Sequence, residues 1–281
     1  NGRNPDAEGG FRHPLMLDIT NPDALAWYED VVLRFLCENG IFGAKIDFCE
    51  EFPDDGRLYG KTRIHYRWHN PEVFKGASVH HAYPTFFVAK LQRELGQRSR
   101  HGFSVLARGG GLGLQRCPWM WAGDQHRVFE KLDDQVFAML NSGVSGVPFM
   151  TYDLAGYQYN GLCAEPDGKI GDTPVVVRRG RKTDAGTEAA VFRRGVEFSA
   201  FTTCVQSHGF VRNAYDFDVA TREHYRKYMT IHASLSNLIA KVCREASEKG
   251  VPPVRPLVWA YPDDPKTWNV ADEVLLGDAL L

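Results

Sequence analysis

Ile41-Phe-Gly-Ala-Lys-Ile-Asp-Phe48 is the stretch on which the fold turns. It is a short apolar run that closes on an acid, too brief for a helix and bounded by a turn signal at Asn39-Gly40, so it reads as a buried strand. Before it, Leu25 to Glu38 carries apolar residues at helical spacing after a turn-like Thr-Asn-Pro-Asp, and predicts a helix capped at Asn39-Gly40. The alternation continues downstream. Pro84 to Leu95 predicts a helix and Phe103 to Ala107 a strand running into Arg108; Trp119 to Ala122 predicts a short strand leading to Gly123-Asp124. Asp133 to Asn141 then reads as helix and Val147 to Tyr152 as a strand ending at Asp153; Phe198 to Gln206 reads as helix or strand, and Glu223 to Lys249 as a long helix.

Strands alternating with helices define an α/β chain with a parallel sheet and crossover helices. Polar residues gather just past the strands: Asp47 and Glu50, Arg108, Asp124, Asp153. In a (β/α)8 TIM barrel the active site is built at those C-terminal strand ends. Glycoside hydrolysis needs two carboxyl groups on opposite sides of a sugar, and acids on two different strands can supply them. An isolated strand-end Asp, by contrast, more often only caps the next helix.

Composition bounds the alternatives. The 281 residues suffice for one large core, and 33 basic against 35 acidic residues give a net charge of −2. That balance offers no basic face for nucleic acid or an anionic membrane, and no apolar run approaches the ~20 residues of a membrane helix. The six cysteines are scattered without a CxxC pair; they read as buried free thiols, which leans towards a reducing, cytoplasmic compartment. His65-Tyr-Arg-Trp-His69 and the adjacent His80-His81 lack a third ligand for zinc. The run Gly109 to Gly113 lacks the Gly-Lys-Ser/Thr of a phosphate loop and reads as a flexible turn letting Arg108 reach the site. Arg178-Arg-Gly-Arg-Lys182 reads as a solvated loop. Polar stretches near 51–75 and 158–188 read as excursions, and Val254 to Leu281 turns strand-like and proline-rich.

The wording around the acids is specific. Lys45-Ile-Asp-Phe-Cys-Glu50 resembles the nucleophile motif of glycoside hydrolase family 31, K-x-D-F-G-E in its α-xylosidase branch. Ala107-Arg-Gly-Gly-Gly-Leu-Gly-Leu-Gln-Arg-Cys-Pro-Trp-Met-Trp-Ala-Gly-Asp-Gln125 resembles the family's arginine segment and acid/base motif. Ser142 to Tyr157 is similar to its next strand, which usually ends D-I-G-G-F. Asp18-Ile-Thr-Asn-Pro22, Arg255-Pro-Leu257, Tyr261-Pro-Asp-Asp264 and Leu275-Leu-Gly-Asp278 follow in the family's order.

The resemblance implies an incomplete (β/α)8 barrel, roughly strands 4 to 8, over residues 1–250, followed by the start of a C-terminal β-sandwich at 251–281. It implies that the earlier strands precede Asn1, so this piece alone is expected to be inactive. It implies a retaining α-glycosidase with Asp47 as nucleophile and Asp124 as general acid/base, their carboxyls about 5–5.5 Å apart. Lys45 and Glu50 would flank the nucleophile, and Arg108 would steady the acid or contact hydroxyls. Trp121, Asp153 and Arg212 would bind the sugar. The substrate is a small glycoside or oligosaccharide, and no cofactor or metal is needed. A transglycosylase and a non-catalytic carbohydrate-binding relative are the alternatives. Three departures stand out: Cys49 replaces the glycine of D-F-G-E, Asp153-Leu-Ala-Gly-Tyr157 replaces D-I-G-G-F, and Ala214 stands where the histidine of R-x-H is expected after Arg212.

Overall fold

The computed structural model describes residues 17–19, 21–51, 80, 82–99, 102–111, 113–116, 119–157, 169–170, 173–174, 185–208, 213–278 and 280. The chain divides into two compact units, Asn1–Met120 and Trp121–Leu281.

In the first unit, Asn21 caps helix α1 (Pro22–Tyr28) by accepting from the Asp23 amide at 3.0 Å. The predicted helix then passes through a π-helical turn, Glu29–Leu33, into α2 (Arg34–Glu38). The π turn adds one residue to the winding, and Leu33 is the buried residue of this stretch. Strand β1 (Gly43–Ile46) follows, then α3 (Ala82–Arg98), β2 (Ser104–Ala107) and the start of β3 (Trp119–Trp121). The strands are parallel, Ile46 pairing with Ala107 and Ala107 with Met120. Val88, Leu91 and Leu95 form one face of α3 and pack with Leu33, Phe103, Val105, Ala107 and Leu114. Each fully buried aliphatic side chain of that kind contributes roughly 1.5–3 kcal/mol. Strand β1 is half-exposed rather than buried: Ala44 and Ile46 pack on this core, while Gly43 and Lys45 on the opposite face are exposed.

The second unit contains helix α4 (Phe129–Val144), strand β4 (Met150–Thr151), a short antiparallel pair β5 (Lys169–Ile170) and β6 (Thr173–Pro174), and α5 (Ala185–Ser199). Helices α6 (Val219–Ser234) and α7 (Ser236–Lys249) divide the long predicted helix at Leu235. The Ala122 amide donates to the Thr151 carbonyl at 3.0 Å, and Asp153 forms a parallel bridge with Gln206. One core gathers Leu154, Ala155, Phe192, Val196 and Phe217; another gathers Met139, Leu140, Tyr152, Val242, Val254 and Leu276. The tail forms an antiparallel pair, β7 (Val254–Pro256) with β8 (Val274–Leu276), separated by a short helix α8 (Leu257–Ala260). Buried Arg255 ties that pair together, donating to the Pro252 carbonyl at 2.7 Å and pairing with Asp278.

Helix α5 begins inside the stretch read as an excursion, and most of it was not expected. Gly195 lies inside it, one turn before its C-terminal end, which weakens a helical reading. The structure shows why it is there: a Cβ at 195 would lie 2.7 Å from the Ala155 Cβ. Ala155 itself has φ of +59°, so the turn after Asp153 is pressed against the helix. Most of the stretches 51–75 and 158–188, together with His65, His69, His81 and Arg178 to Lys182, lie outside the described residues.

Candidate active site

In the first unit, the parallel register places two chemistry-bearing residues side by side. Ile46 pairs with Ala107, so the next residues, Asp47 and Arg108, are neighbours at the C-terminal strand ends. The Arg108 amide donates to the Ile46 carbonyl at 3.2 Å and fixes that alignment. Arg108 Nη1 then donates to Asp47 Oδ1 at 3.2 Å, and its Nε lies 2.5 Å from Glu50 Oε1. One guanidinium therefore clasps two carboxyls, a task for its planar fork. Asp47 Oδ1 also accepts from the Phe48 amide at 2.9 Å. This tight turn needs Phe48 at φ +57°, a left-handed conformation costing roughly 1–2 kcal/mol for a residue with a Cβ. The Phe48 ring lies 5.2 Å beneath the guanidinium.

Gly109 is not a flexible hinge. A Cβ there would meet the Glu50 backbone nitrogen at 2.8 Å, so the glycine lets the two strand-end loops touch. Cys49, where the family has glycine, points into the core and is 3% exposed. Burial, and then the Glu50 and Asp47 charges, push its thiol up to about 12. Lys45 is exposed on the strand face it shares with Asp47 by the two-residue period.

In the second unit, Trp121 ends β3 and is 1% exposed. Gly123 at φ +80° turns the chain, and half-buried Asp124 follows. The next residue anchors the loop: Gln125 Nε2 donates to the Ala122 carbonyl at 3.1 Å, and its own carbonyl accepts from the Tyr157 amide at 2.9 Å. Buried Arg127 donates to the Gly156 carbonyl at 2.9 Å and lies 5.7 Å over the Phe192 ring, so it braces the two loops from inside.

Asp153 is 0% exposed. Its Oδ1 accepts from Gln206 Nε2 at 2.6 Å and lies 3.5 Å from His208 Nδ1. The His208 ring stacks on Tyr157 with centroids 4.7 Å apart and meets Trp121 edge-on at 5.8 Å. Trp121, Asp153, Tyr157, Gln206 and His208 thus form one constellation. Sequence reading placed the histidine position at Ala214, after Arg212, and so passed over His208; the signal that finds it is the spacing Gln206-Ser-His208, two residues past the bridge to Asp153. Arg212 lies outside the described residues. Ala214 opens a single 3-10 turn, Ala214–Asp216, and packs on the Leu154–Phe217 core, where an apolar residue belongs.

Among the described residues no group of three or more His, Cys, Asp or Glu could hold a metal, and no helix is long and apolar enough to cross a membrane. Cys37, Cys49, Cys204 and Cys243 are free thiols.

Parallel strands, crossover helices and polar residues at strand ends define a protein of the α/β class. The family follows from comparison: residues 3–241 match the TIM-barrel domain of glycosyl hydrolases family 31, and residues 250–281 match that family's C-terminal domain. The chain belongs to glycosyl hydrolase family 31. It is 26% identical to the sulfoquinovosidase of Escherichia coli (strain K12) over 95% of this chain and 36% of that protein. It is 25% identical to the alpha-glucosidase of Saccharolobus solfataricus, over 94% of this chain and 38% of that protein. The isomaltosyltransferase of Sporosarcina globispora is also 25% identical, over 96% and 23%. The chain thus spans little more than a third of these relatives at most.

Among solved structures, the cycloalternan-forming enzyme from Listeria monocytogenes in complex with a pentasaccharide substrate superposes with a TM-score of 0.73 at 21% identity, over 94% of this chain and 23% of that one. A family 31 sulfoquinovosidase from E. rectale in complex with an aza-sugar inhibitor gives 0.68 at 23%, over 93% and 36%. At these identities the likeness establishes the fold.

Proposed function

We propose that the full-length protein is a retaining α-glycoside hydrolase that cleaves a terminal α-linked sugar through a covalent glycosyl-Asp47 intermediate. The observation that carries this reading is the clasp of Arg108 on Asp47 and Glu50. A nucleophilic carboxylate must be held in one orientation, and the Arg108 guanidinium with the Phe48 amide fixes that of Asp47. Asp47 attacks the anomeric carbon as the leaving oxygen takes the proton of Asp124. The Asp124 carboxylate then draws a proton from water, and the resulting hydroxide releases the sugar from Asp47.

Trp121, Asp153 and His208 line the sugar subsite in this reading. Gln206-Ser207-His208 takes the place of R-x-H, with glutamine at the arginine, so the family histidine is retained rather than lost to Ala214. Lys45 and Glu50 flank the nucleophile, and Arg212 keeps its place as a further sugar contact. Residues 1–250 supply the barrel portion, and 251–281 begin the C-terminal β-domain.

The test is a panel of aryl α-xylosides, α-glucosides, α-galactosides and α-sulfoquinovosides offered to the full-length protein. Turnover of at least one, abolished by Asp47→Ala, is expected; no turnover of any would overturn the reading. Transfer to a sugar acceptor is the second reading, favoured by the match to an isomaltosyltransferase. Product analysis with an added disaccharide acceptor separates it from hydrolysis.

A further inference from the structure

Asp153 is entirely withdrawn from water, and a carboxyl in such a setting must find donors or surrender its charge. Gln206 supplies a donor at 2.6 Å. The two residues are joined a second time through the main chain: they form a parallel bridge, and the Leu154 amide donates to the Gln206 carbonyl at 2.9 Å. A side-chain bond laid over a backbone bridge leaves the carboxyl little freedom to turn.

The glutamine gives up something for this arrangement. Its Oε1 is buried, and among the described residues no donor reaches it, a cost a leucine or methionine of similar length would not incur. A position that keeps an unsatisfied acceptor for the sake of its donor is one where the donor matters. The same Asp153 oxygen faces His208, whose ring is set by Tyr157 and Trp121. The orientation fixed by Gln206 therefore extends to the imidazole.

We propose that Gln206 is a positioning residue of the sugar subsite: its side-chain amide, laid over the backbone bridge, fixes the direction in which Asp153 presents its carboxyl to the hydroxyls of the sugar. The assignment rests on the reading of Asp153 as a subsite residue given above. A glutamate at 206 would set two acceptors against each other, an alanine would remove the donor that Gln206 supplies, and an arginine would restore one.

The experiment compares Gln206→Ala, Gln206→Glu and Gln206→Arg in the full-length protein. It reads kcat and KM on the best aryl α-glycoside of the panel, calorimetric affinity for a monosaccharide aza-sugar, and Tm. Loss of a hydrogen bond to a charged group predicts a fall in kcat/KM of about 10- to 100-fold for the alanine variant, carried largely by KM. The glutamate variant should fall at least as far, and the arginine variant should stay within about fivefold of wild type. Aza-sugar affinity should rank the variants the same way, with no relation to their Tm values. Turnover abolished by Asp47→Ala but untouched by Gln206→Ala would overturn this assignment alone, as would losses that rank with Tm. Aza-sugar binding without turnover would overturn the catalytic reading and leave the binding ranks to decide the assignment. A wild-type protein showing neither would overturn both.

Discussion

The two units hold their strand-end acids in different settings. In the first, Asp47 is about a third exposed, at 34%, and is secured by a cation and a backbone amide. In the second, Asp153 is fully buried and is secured by a neutral amide, with an imidazole and two aromatic rings around it. The first arrangement sets a cation and an amide on a carboxyl that solvent still reaches; the second fixes a direction and excludes solvent. Those are the different needs of a nucleophile and of a sugar-orienting group. The difference also shows in the backbone. Among the described residues, each unit has a left-handed non-glycine residue close to its acid, Phe48 after Asp47 and Ala155 two residues past Asp153. Each also uses a glycine to bring a neighbouring segment against that turn, Gly109 in one and Gly195 in the other.

The largest expected effect breaks the first unit's half of this contrast. Asp47→Ala in the full-length protein should lower turnover by at least about 10^4-fold on every glycoside, whatever the leaving group, because no glycosyl ester forms. Steady-state rates on dinitrophenyl and methyl glycosides check it. Asp124→Ala should discriminate instead. Substrates with activated aryl leaving groups need little protonation and should lose far less than the roughly 10^2–10^4-fold expected of unactivated ones. Azide should partly restore the former. Equal losses for both variants on the activated substrate, without rescue, would remove the division of roles.

How much of this was legible in the sequence depends on where the signal sits. Strand ends announce themselves because an apolar run stops at a charged residue, and Asp47, Arg108, Asp124 and Asp153 were found that way. The Asp47–Arg108 pairing was also within reach, since both residues follow directly on strands that turn out to be register partners. Helix α5 was hidden by Gly195, whose reason is a tertiary contact with Ala155 and not a local preference. The π turn at Glu29–Leu33 keeps apolar spacing close to helical and leaves no mark of its own. His208 was missed because its meaning depends on a bridge between Gln206 and Asp153, 53 residues apart in the chain. Contacts of that kind have no periodicity to read.

A stability comparison sharpens the role given to the two close-approach turns. Gly195→Val drives side-chain atoms into the Ala155 turn and should cost about 1–3 kcal/mol by overpacking. A visible drop in Tm should follow. Gly96 is the contrast: it lies within α3, and a Cβ added there meets nothing within 4 Å. Gly96→Ala should therefore be neutral or stabilise by up to roughly 1 kcal/mol. Differential scanning calorimetry of both variants decides the matter. A Gly195→Val protein as stable as wild type would show that the turn after Asp153 yields easily, and would weaken the claim that Asp153 is held in one direction.

The smallest effect probes the charge beside the nucleophile through the thiol beneath it. Cys49 is raised to about 12 first by burial, then by Glu50 and Asp47, whereas Cys243 in the second unit is raised to about 11 by burial and then by Cys204. Removing the Asp47 charge with Asp47→Asn should therefore lower the Cys49 value modestly and leave Cys243 where it is. Both thiols are protonated at neutral pH, so the readout is an alkaline titration of thiolate absorbance. The sign of the accompanying stability change is fixed by linkage. A thiol whose folded value lies above its unfolded one, near 9, binds more protons when folded across the interval between the two. Its contribution to stability is intact below pH 9 and is lost as pH rises towards 12 in the case of Cys49. Buried Tyr83 and Tyr152, both raised by desolvation, act in the same direction. Denaturant midpoints should thus fall progressively above pH 9, and Cys49→Ala should flatten part of that fall. If Asp47→Asn shifts both thiols equally, the charge at Asp47 is not what Cys49 senses, and the contrast drawn between the two acids loses its electrostatic half.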